Sequence, residues 1–330
     1  MKRKKIKALL AFGLTFLLLV FLFLWSVNTG SLKVSGAQLF KGLFIEYDDE
    51  VAAVYNLRFP RIILSMLVGA ALAVSGVLFQ AVLKNPLTDP GIIGVSGGAS
   101  FTAVLITAFL PELFLFIPLA AFAGGILSFL IVYLLAFKDG PNPLRIILVG
   151  VAVSTFFSGL STAVNSMNGG SLSGVAAIVN GNITMKTWED VKTAMYYIPV
   201  CLILSIFLAG RCNLLALDDK TAKGIGVNVG RARLLISLTA VLLASIATAV
   251  AGIISFIGLI VPHMARIFVG SGHKLLLPYS MILGALVFLL ADTIGRTAAQ
   301  PYEISASVIM AVAGGPFFIM LLKGRSRYGS

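Results

Sequence analysis

The chain has 330 residues, 58% of them hydrophobic and only 12% charged, with a mean hydropathy of +1.01. A soluble domain carries about 25% charged residues, so this composition excludes one and indicates an all-α polytopic membrane protein. It is read as a single membrane domain over residues 1–330, without the even alternation of an outer-membrane barrel. The formal net charge of +12 would suit nucleic acid, but the bases sort by membrane side, so no nucleic-acid partner is needed.

Met1–Lys7 holds five bases and leads into an apolar run ending at Val27. That run is too long for a signal-peptide core, and Trp25-Ser26-Val27-Asn28 is a poor cleavage site, so it is read as the first span. Apolar runs of span length place about ten helices near 8–27, 62–82, 92–110, 113–137, 143–167, 191–209, 232–250, 252–269, 275–295 and 304–322. Ten spans put 18 of the 25 Lys and Arg on the side of the N-terminus, which makes both termini cytoplasmic. Cys201 and Cys212 form no disulfide framework and are read as structural.

The first outer segment, Asn28–Arg61, ends in Arg58-Phe59-Pro60-Arg61. Two arginines flanking a proline are either interfacial anchors or a rigid display of guanidinium groups for a partner's carboxylates. The second span carries Gly69, Ala73 and Gly76, a face for close helix packing. Pro86 and Pro90 then break the chain, and Gly91, Gly94, Gly97 and Gly98 allow tight re-entry. No G-x-x-x-x-G-K-[ST] sequence occurs, so the chain shows no nucleotide site of its own.

The fifth span has Ser154, Ser158, Ser161 and Asn165 at i, i+4, i+7 and i+11, with Thr155 and Thr162 beside them. Such a polar stripe bonds packed helices or lines a hydrated pathway. Asn142-Pro143 sets the turn into this span. In the outer segment that follows, Trp188 is placed like an interface anchor and Asn182-Ile183-Thr184 fits a glycosylation sequon.

Arg211–Arg233 is the most charged interruption between two long apolar runs. Asp218 and Asp219 come early, Lys220 and Lys223 late, and Gly224 follows as the stop, the order of a short helix. With Leu214, Leu215 and Leu217, then Ile225 and Val227, it reads as two short elements lying flat on the cytoplasmic face. Gly252, Gly258 and Pro262 mark the eighth span as short or broken, and His263 beside Pro262 is read as a helix-end residue. Asp292 is the one acid placed inside a span, with Arg296 a turn later to neutralise it. Arg61-Ile-Ile-Leu-Ser65 and Arg233-Leu-Leu-Ile-Ser237 begin spans on opposite faces, as an inverted repeat would.

Several stretches together resemble the FecCD family of ABC importer permeases: RFPR (58–61), SGVLFQAVLKNPLTDPGIIGVSGGA (75–99), LALDDKTAKGIGV (215–227), GIISFIGLIVPHMARIFVGSGHKLLLPYS (252–280), GALVFLLADTIGR (284–296) and GGPFFIMLL (314–322). The resemblance implies the type II ABC importer permease fold in a bacterial plasma membrane, with a second permease subunit, identical or paralogous. It implies two cytoplasmic ATPase subunits that use ATP and Mg and dock on Leu217, Asp218, Asp219, Ala222, Gly224 and Gly226. It also implies an extracytoplasmic binding protein that docks on Arg58, Arg61 and Arg296, and a pathway along Ser154, Ser158, Ser161, Thr162 and Asn165. The chain itself is then no enzyme and holds no cofactor or metal, and the expected cargo is an iron–siderophore complex, with haem or cobalamin as alternatives. Two stretches depart from the family pattern. Glu303-Ile304-Ser305-Ala306-Ser307 lacks the usual proline and glycine, and Val179-Asn180-Gly181-Asn182 replaces a tryptophan and Gly-Ser.

Two other classes were weighed on the residues alone. An ion-coupled secondary transporter would use Asp292 and the inverted echo. An intramembrane enzyme would need a Ser/His pair, His-Glu-x-x-His or paired carboxylates within the spans, and none appears.

Overall fold

A helix that is apolar all round must be enclosed on every side. α4 (Phe59–Leu83) is the most enclosed in this chain, with 19 of its 25 residues buried. The computed structural model describes residues 2–29, 34–46, 48–136, 143–167 and 173–326, and among them every regular element is helical. Before α4 come α1 (Lys2–Asn28), α2 (Gly36–Phe44) and α3 (Asp49–Leu57). After it come α5 (Val95–Phe109), a 3-10 segment (Pro111–Phe116), α6 (Ile117–Ala136), α7 (Pro143–Met167), α8 (Ser173–Asn180) and α9 (Trp188–Leu215). The chain ends with α10 (Asp219–Gly224), α11 (Val229–Ala251), α12 (Ile257–Val269), α13 (His273–Thr297) and α14 (Ala306–Ser326).

α4 packs against α9, α11, α12 and α13, while α5, α6 and α7 form a second group joined through α11. α1 lies outside α13, and α7 is an edge helix that touches α5, α6 and α8. Among the described residues seven stretches are long and apolar enough to cross a membrane, whereas α5, α12 and α14 are shorter apolar helices at the expected runs 92–110, 252–269 and 304–322.

The short length of α12 has a local cause. Residues 252–256 are not helical, and Gly252 and Phe256 both take positive φ, 77° and 70°. Pro262 stands inside the helix and does not break it. Proline has no N–H for the carbonyl of residue i−4, here Gly258, and Gln80 Nε2 of α4 supplies the missing donor at 3.0 Å. α4 and α12 meet there so closely that a Cβ on Gly76 would lie 2.0 Å from Gly258 O.

Several expectations are corrected. α9 runs on to Leu215, because its apolar side stays buried at Cys212 and Leu215; Arg211–Leu215 is therefore the end of a span and not a flat surface element. Gly224 lies within α10, and the stop is Gly226, whose φ of 84° is one that glycine adopts without strain. His263 lies inside α12, its ring edge-on to Phe317. Between α1 and α4, Ser35 and Asp48 cap the short helices α2 and α3 by accepting backbone N–H bonds. Asn142, and with it the predicted turn into α7, lies outside the described residues.

The α4–α12 contact generates a prediction. Gly76→Ala drives a methyl into backbone that cannot yield, and lowers stability by about 1–3 kcal/mol or more. Gly224→Ala, where a Cβ meets nothing within 4 Å, leaves stability unchanged. Thermal unfolding of the two variants in the same detergent measures the contrast.

Candidate functional site

α4 joins two charged clusters. Arg61 and Lys84 stand 23 positions apart on and just beyond it, about 35 Å at the helical rise. At its N-terminal end the chain enters from α3 with Arg58 as the only joint, since Arg58 ends α3 and begins α4. This places Arg58 and Arg61 beside the last turns of α1 and α13.

Asp292 of α13 is fully buried and accepts from Arg61 Nε at 2.9 and 3.2 Å and from Arg61 Nη2 at 2.9 Å. Arg296 Nε stands 3.3 Å from its other oxygen. Arg61 Nη1 turns to Glu303 Oε2 at 2.7 Å, and Glu303 also accepts from Thr184 Oγ1 at 3.2 Å. The carbonyls at the C-terminus of α1 have no helical donor and attract cations. Arg58 Nη1 donates to Val27 O at 2.7 Å, and Arg296 Nη2 donates to Ser26 Oγ.

The three guanidinium groups and Glu303 line a cavity of about 670 Å³, together with Thr29, Met185, Gln300 and Pro301, while Asp292 lies buried behind them. The cavity keeps a net positive balance. Burial pushes the Glu303 carboxyl up, but the hydrogen bond and charge of Arg61 outweigh it and hold the group below its usual range.

The three arginines expected to act together are therefore brought together. Arg61 and Arg296 are buried, only 5% and 8% exposed, and paired within the chain, whereas Arg58 is half-buried. The expected Asp292–Arg296 pair exists, but Arg61 is the stronger partner. The sequence reasoning missed Glu303 as a member. The signal it left was an acid three residues before the next helix, at the same end as the arginines.

At the other end of α4, Lys84 takes a left-handed conformation, φ 49°, and ends the helix. Its Nζ donates to Leu217 O at 2.7 Å and to Asp219 Oδ1 at 3.0 Å, and Arg233 Nη2 reaches the same Oδ1 at 3.0 Å. These contacts, first the hydrogen bond from Lys84, hold the Asp219 carboxyl below its usual value. Ala222 is buried beneath α10, Leu217 and Gly224 are exposed, and Asp218 occupies the N-cap position without a side-chain bond.

In α7, Ser154 donates to Gly91 O at 3.1 Å and Ser161 to Phe157 O at 2.9 Å, the latter fully within the packed side. Ser158 and Asn165 are half-buried, and Thr162 is exposed and bonded back to Ser158 O. The exposed face of this edge helix carries Thr155, Gly159, Thr162 and Ser166, one position around from the predicted stripe.

With this geometry established, likeness to known proteins is informative. The model of the FecCD transport family matches residues 18–324. A curated relative from Staphylococcus aureus strain Newman, "Probable heme-iron transport system permease protein IsdF", is 40% identical over 297 residues, 90% of each chain. A solved structure of a candidate metal-chelate type ABC transporter in an inward-facing conformation aligns with a TM-score of 0.78 and 33% identity, over 96% of this chain and 99% of that one. PsaBC from Streptococcus pneumoniae, solved with a Fab, aligns with a TM-score of 0.62 at 18% identity, over 86% and 94% of the two chains, a likeness of fold alone.

Removing Asp292 leaves two buried guanidinium groups without their shared partner. Asp292→Asn is expected to cost about 3–5 kcal/mol, seen as a large drop in unfolding temperature in detergent. Glu303→Gln, at a side chain 41% exposed, costs less. Because the folded-state carboxyl of Glu303 is held low, its contact with Arg61 stabilises the fold above the usual glutamate range and is lost as pH falls through the lowered value. An acid titration of wild type against Glu303→Gln reads that difference.

Proposed function

This chain belongs to the FecCD transport family, and on that premise we propose that it is the membrane-spanning permease subunit of an ATP-driven importer of chelated iron. The observation that carries the reading is α4, a buried rod with an electropositive cavity at one end and a salt-bridged surface helix at the other. One end suits an acidic partner outside the membrane, and the other suits a motor inside it.

Orientation follows the distribution of bases, with both termini cytoplasmic and the arginine cavity outside. At that cavity Arg58, the most exposed of the three arginines, meets the carboxylates of an extracytoplasmic binding protein. The Arg61–Glu303 pair can exchange, since Glu303 is partly exposed. On the cytoplasmic side α10 is the dock for two ATPase subunits, tied to α4 by Lys84 and to α11 by Arg233 through the single carboxylate of Asp219. ATP hydrolysis belongs to those subunits, since this sequence has no phosphate-binding loop. The exposed small and polar face of α7 suits a second permease subunit and the pathway between the two.

The cargo is an iron chelate. The likeness to a relative named for heme-iron transport favours haem over the siderophore expected from sequence, and both over cobalamin, which carries cobalt. An ion-coupled carrier would need a titratable group free to exchange protons, and Asp292 is held between two arginines.

Proteoliposomes that contain this chain with its ATPase and binding protein should take up haem only with ATP and both partners present. Arg58→Glu is expected to lower the stimulation by binding protein roughly tenfold, and Asp219→Ala to weaken retention of the ATPase during purification. Uptake by the chain alone, or stimulation undiminished by Arg58→Glu, would count against the reading.

A further inference from the structure

The C-terminal end of α4 borders a second cavity, of about 270 Å³, lined by Gln80, Lys84, Cys212, Arg266, Ser271 and His273. Arg266 lies near the end of α12. Its Nη2 donates to Gln80 Oε1 at 2.6 Å, and its Nη1 is buried without a hydrogen-bond partner. Among the described residues no carboxylate stands within ion-pair distance of it.

The other lining groups do not supply the missing charge. Gln80 is neutral, and its amide hydrogens go to Thr88 O and Gly258 O. Lys84 is itself a cation, engaged with Leu217 O and Asp219, and Asp219 is shared with Arg233. Asn213 Oδ1 accepts the backbone N–H of His273 at 2.9 Å and stands 2.9 Å from its ring Nδ1. An amide oxygen can only accept, so Nδ1 carries the hydrogen and Nε2 remains for the cavity.

A half-buried guanidinium without a counter-charge is costly. The donors left over here are a guanidinium N–H of Arg266 and the Ser271 hydroxyl. Donors arranged without an acid match an oxyanion with several oxygens, and a guanidinium fork suits phosphate. The surrounding surface is that of a membrane interface. Ile267, Phe268 and Leu275 are 72%, 49% and 44% exposed beside the cavity, and Lys274 is exposed next to them.

We propose that this cavity binds a phosphate group, supplied by the headgroup of an anionic phospholipid or by free phosphate. The exposed apolar residues favour the lipid, whose acyl chains they would receive. A zwitterionic headgroup is disfavoured, because its own cation meets Arg266 and Lys84. The site stands apart from the arginine cavity and does not depend on which chelate is carried.

The test uses the full chain in nanodiscs of phosphatidylcholine, with or without phosphatidylglycerol, and with inorganic phosphate added at constant ionic strength. Thermal unfolding and lipid retention by native mass spectrometry are the readouts. Wild type should hold phosphatidylglycerol about tenfold or more tightly than phosphatidylcholine, the worth of one charged hydrogen bond, and unfold at higher temperature with it. Arg266→Gln should lose that preference, but it also removes a tie to Gln80. Ser271→Asp, at an exposed turn position, keeps the fold and provides an internal counter-charge. It should raise the unfolding temperature in phosphatidylcholine alone and abolish the response to phosphatidylglycerol and phosphate.

Stabilisation by phosphatidylglycerol assigns the group to lipid, and stabilisation by inorganic phosphate alone assigns it to the free ion; either supports the site. Equal behaviour in both lipids with no phosphate response, or an unchanged preference in Ser271→Asp, overturns it. So does protection that appears only when the ATPase subunit is bound and its carboxylate cross-links to this turn.

Discussion

Asp292 has no water to fall back on. A buried carboxylate is tolerable only when donors surround it, and here Arg61 and Arg296 do so from two helices. That requirement pins the start of α4 to the end of α13, and Arg58 and Arg296 then draw in the carbonyl end of α1. One electrostatic obligation sets the relative positions of three helices and leaves a positive cavity as its remainder.

The opposite end of α4 is organised by the same necessity with a neutral group. Pro262 deprives Gly258 O of its helical donor, and Gln80 restores it from across the interface. The oxygen of that amide in turn receives Arg266. Backbone contact at Gly76 and Gly258 brings the amide within reach, so small residues and polar satisfaction act together there. Non-helical backbone at 252–256 persists because protein encloses it, with Gly252 against Ile178 and Gly181 and Phe256 against Gly314, the condition under which such backbone is stable in a membrane. Between these ends α4 has no polar side facing lipid, and it carries ionic machinery at both tips.

The arginines, the acids of the 211–233 stretch and the breaks at Pro86 and Gly252 were legible because each leaves a local signature: a charge cluster, a capping order, a helix-breaking residue. The Arg61–Asp292 bond, whose partners are 231 positions apart, leaves none. Glu303 was seen only as the residue before a span, and its role depends on where α14 returns. The stripe on α7 was legible as a period, but which side of it packs depends on α5 and the turn before it, where Gly97 and Gly91 receive Ser154. A helical wheel has no absolute zero.

Composition and run length alone determined that this chain is a helical membrane protein, roughly where its long apolar helices lie, and which ends carry charge. Those properties are written in contiguous residues, since hydrogen bonding within a helix and transfer to lipid are local. The tertiary structure decided which charges neutralise one another, why α12 is short, and that Arg266 is left without an acid. Each of those depends on distance between helices far apart in sequence, and in a medium without water that distance decides whether a polar group is satisfied or exposed to its full desolvation cost.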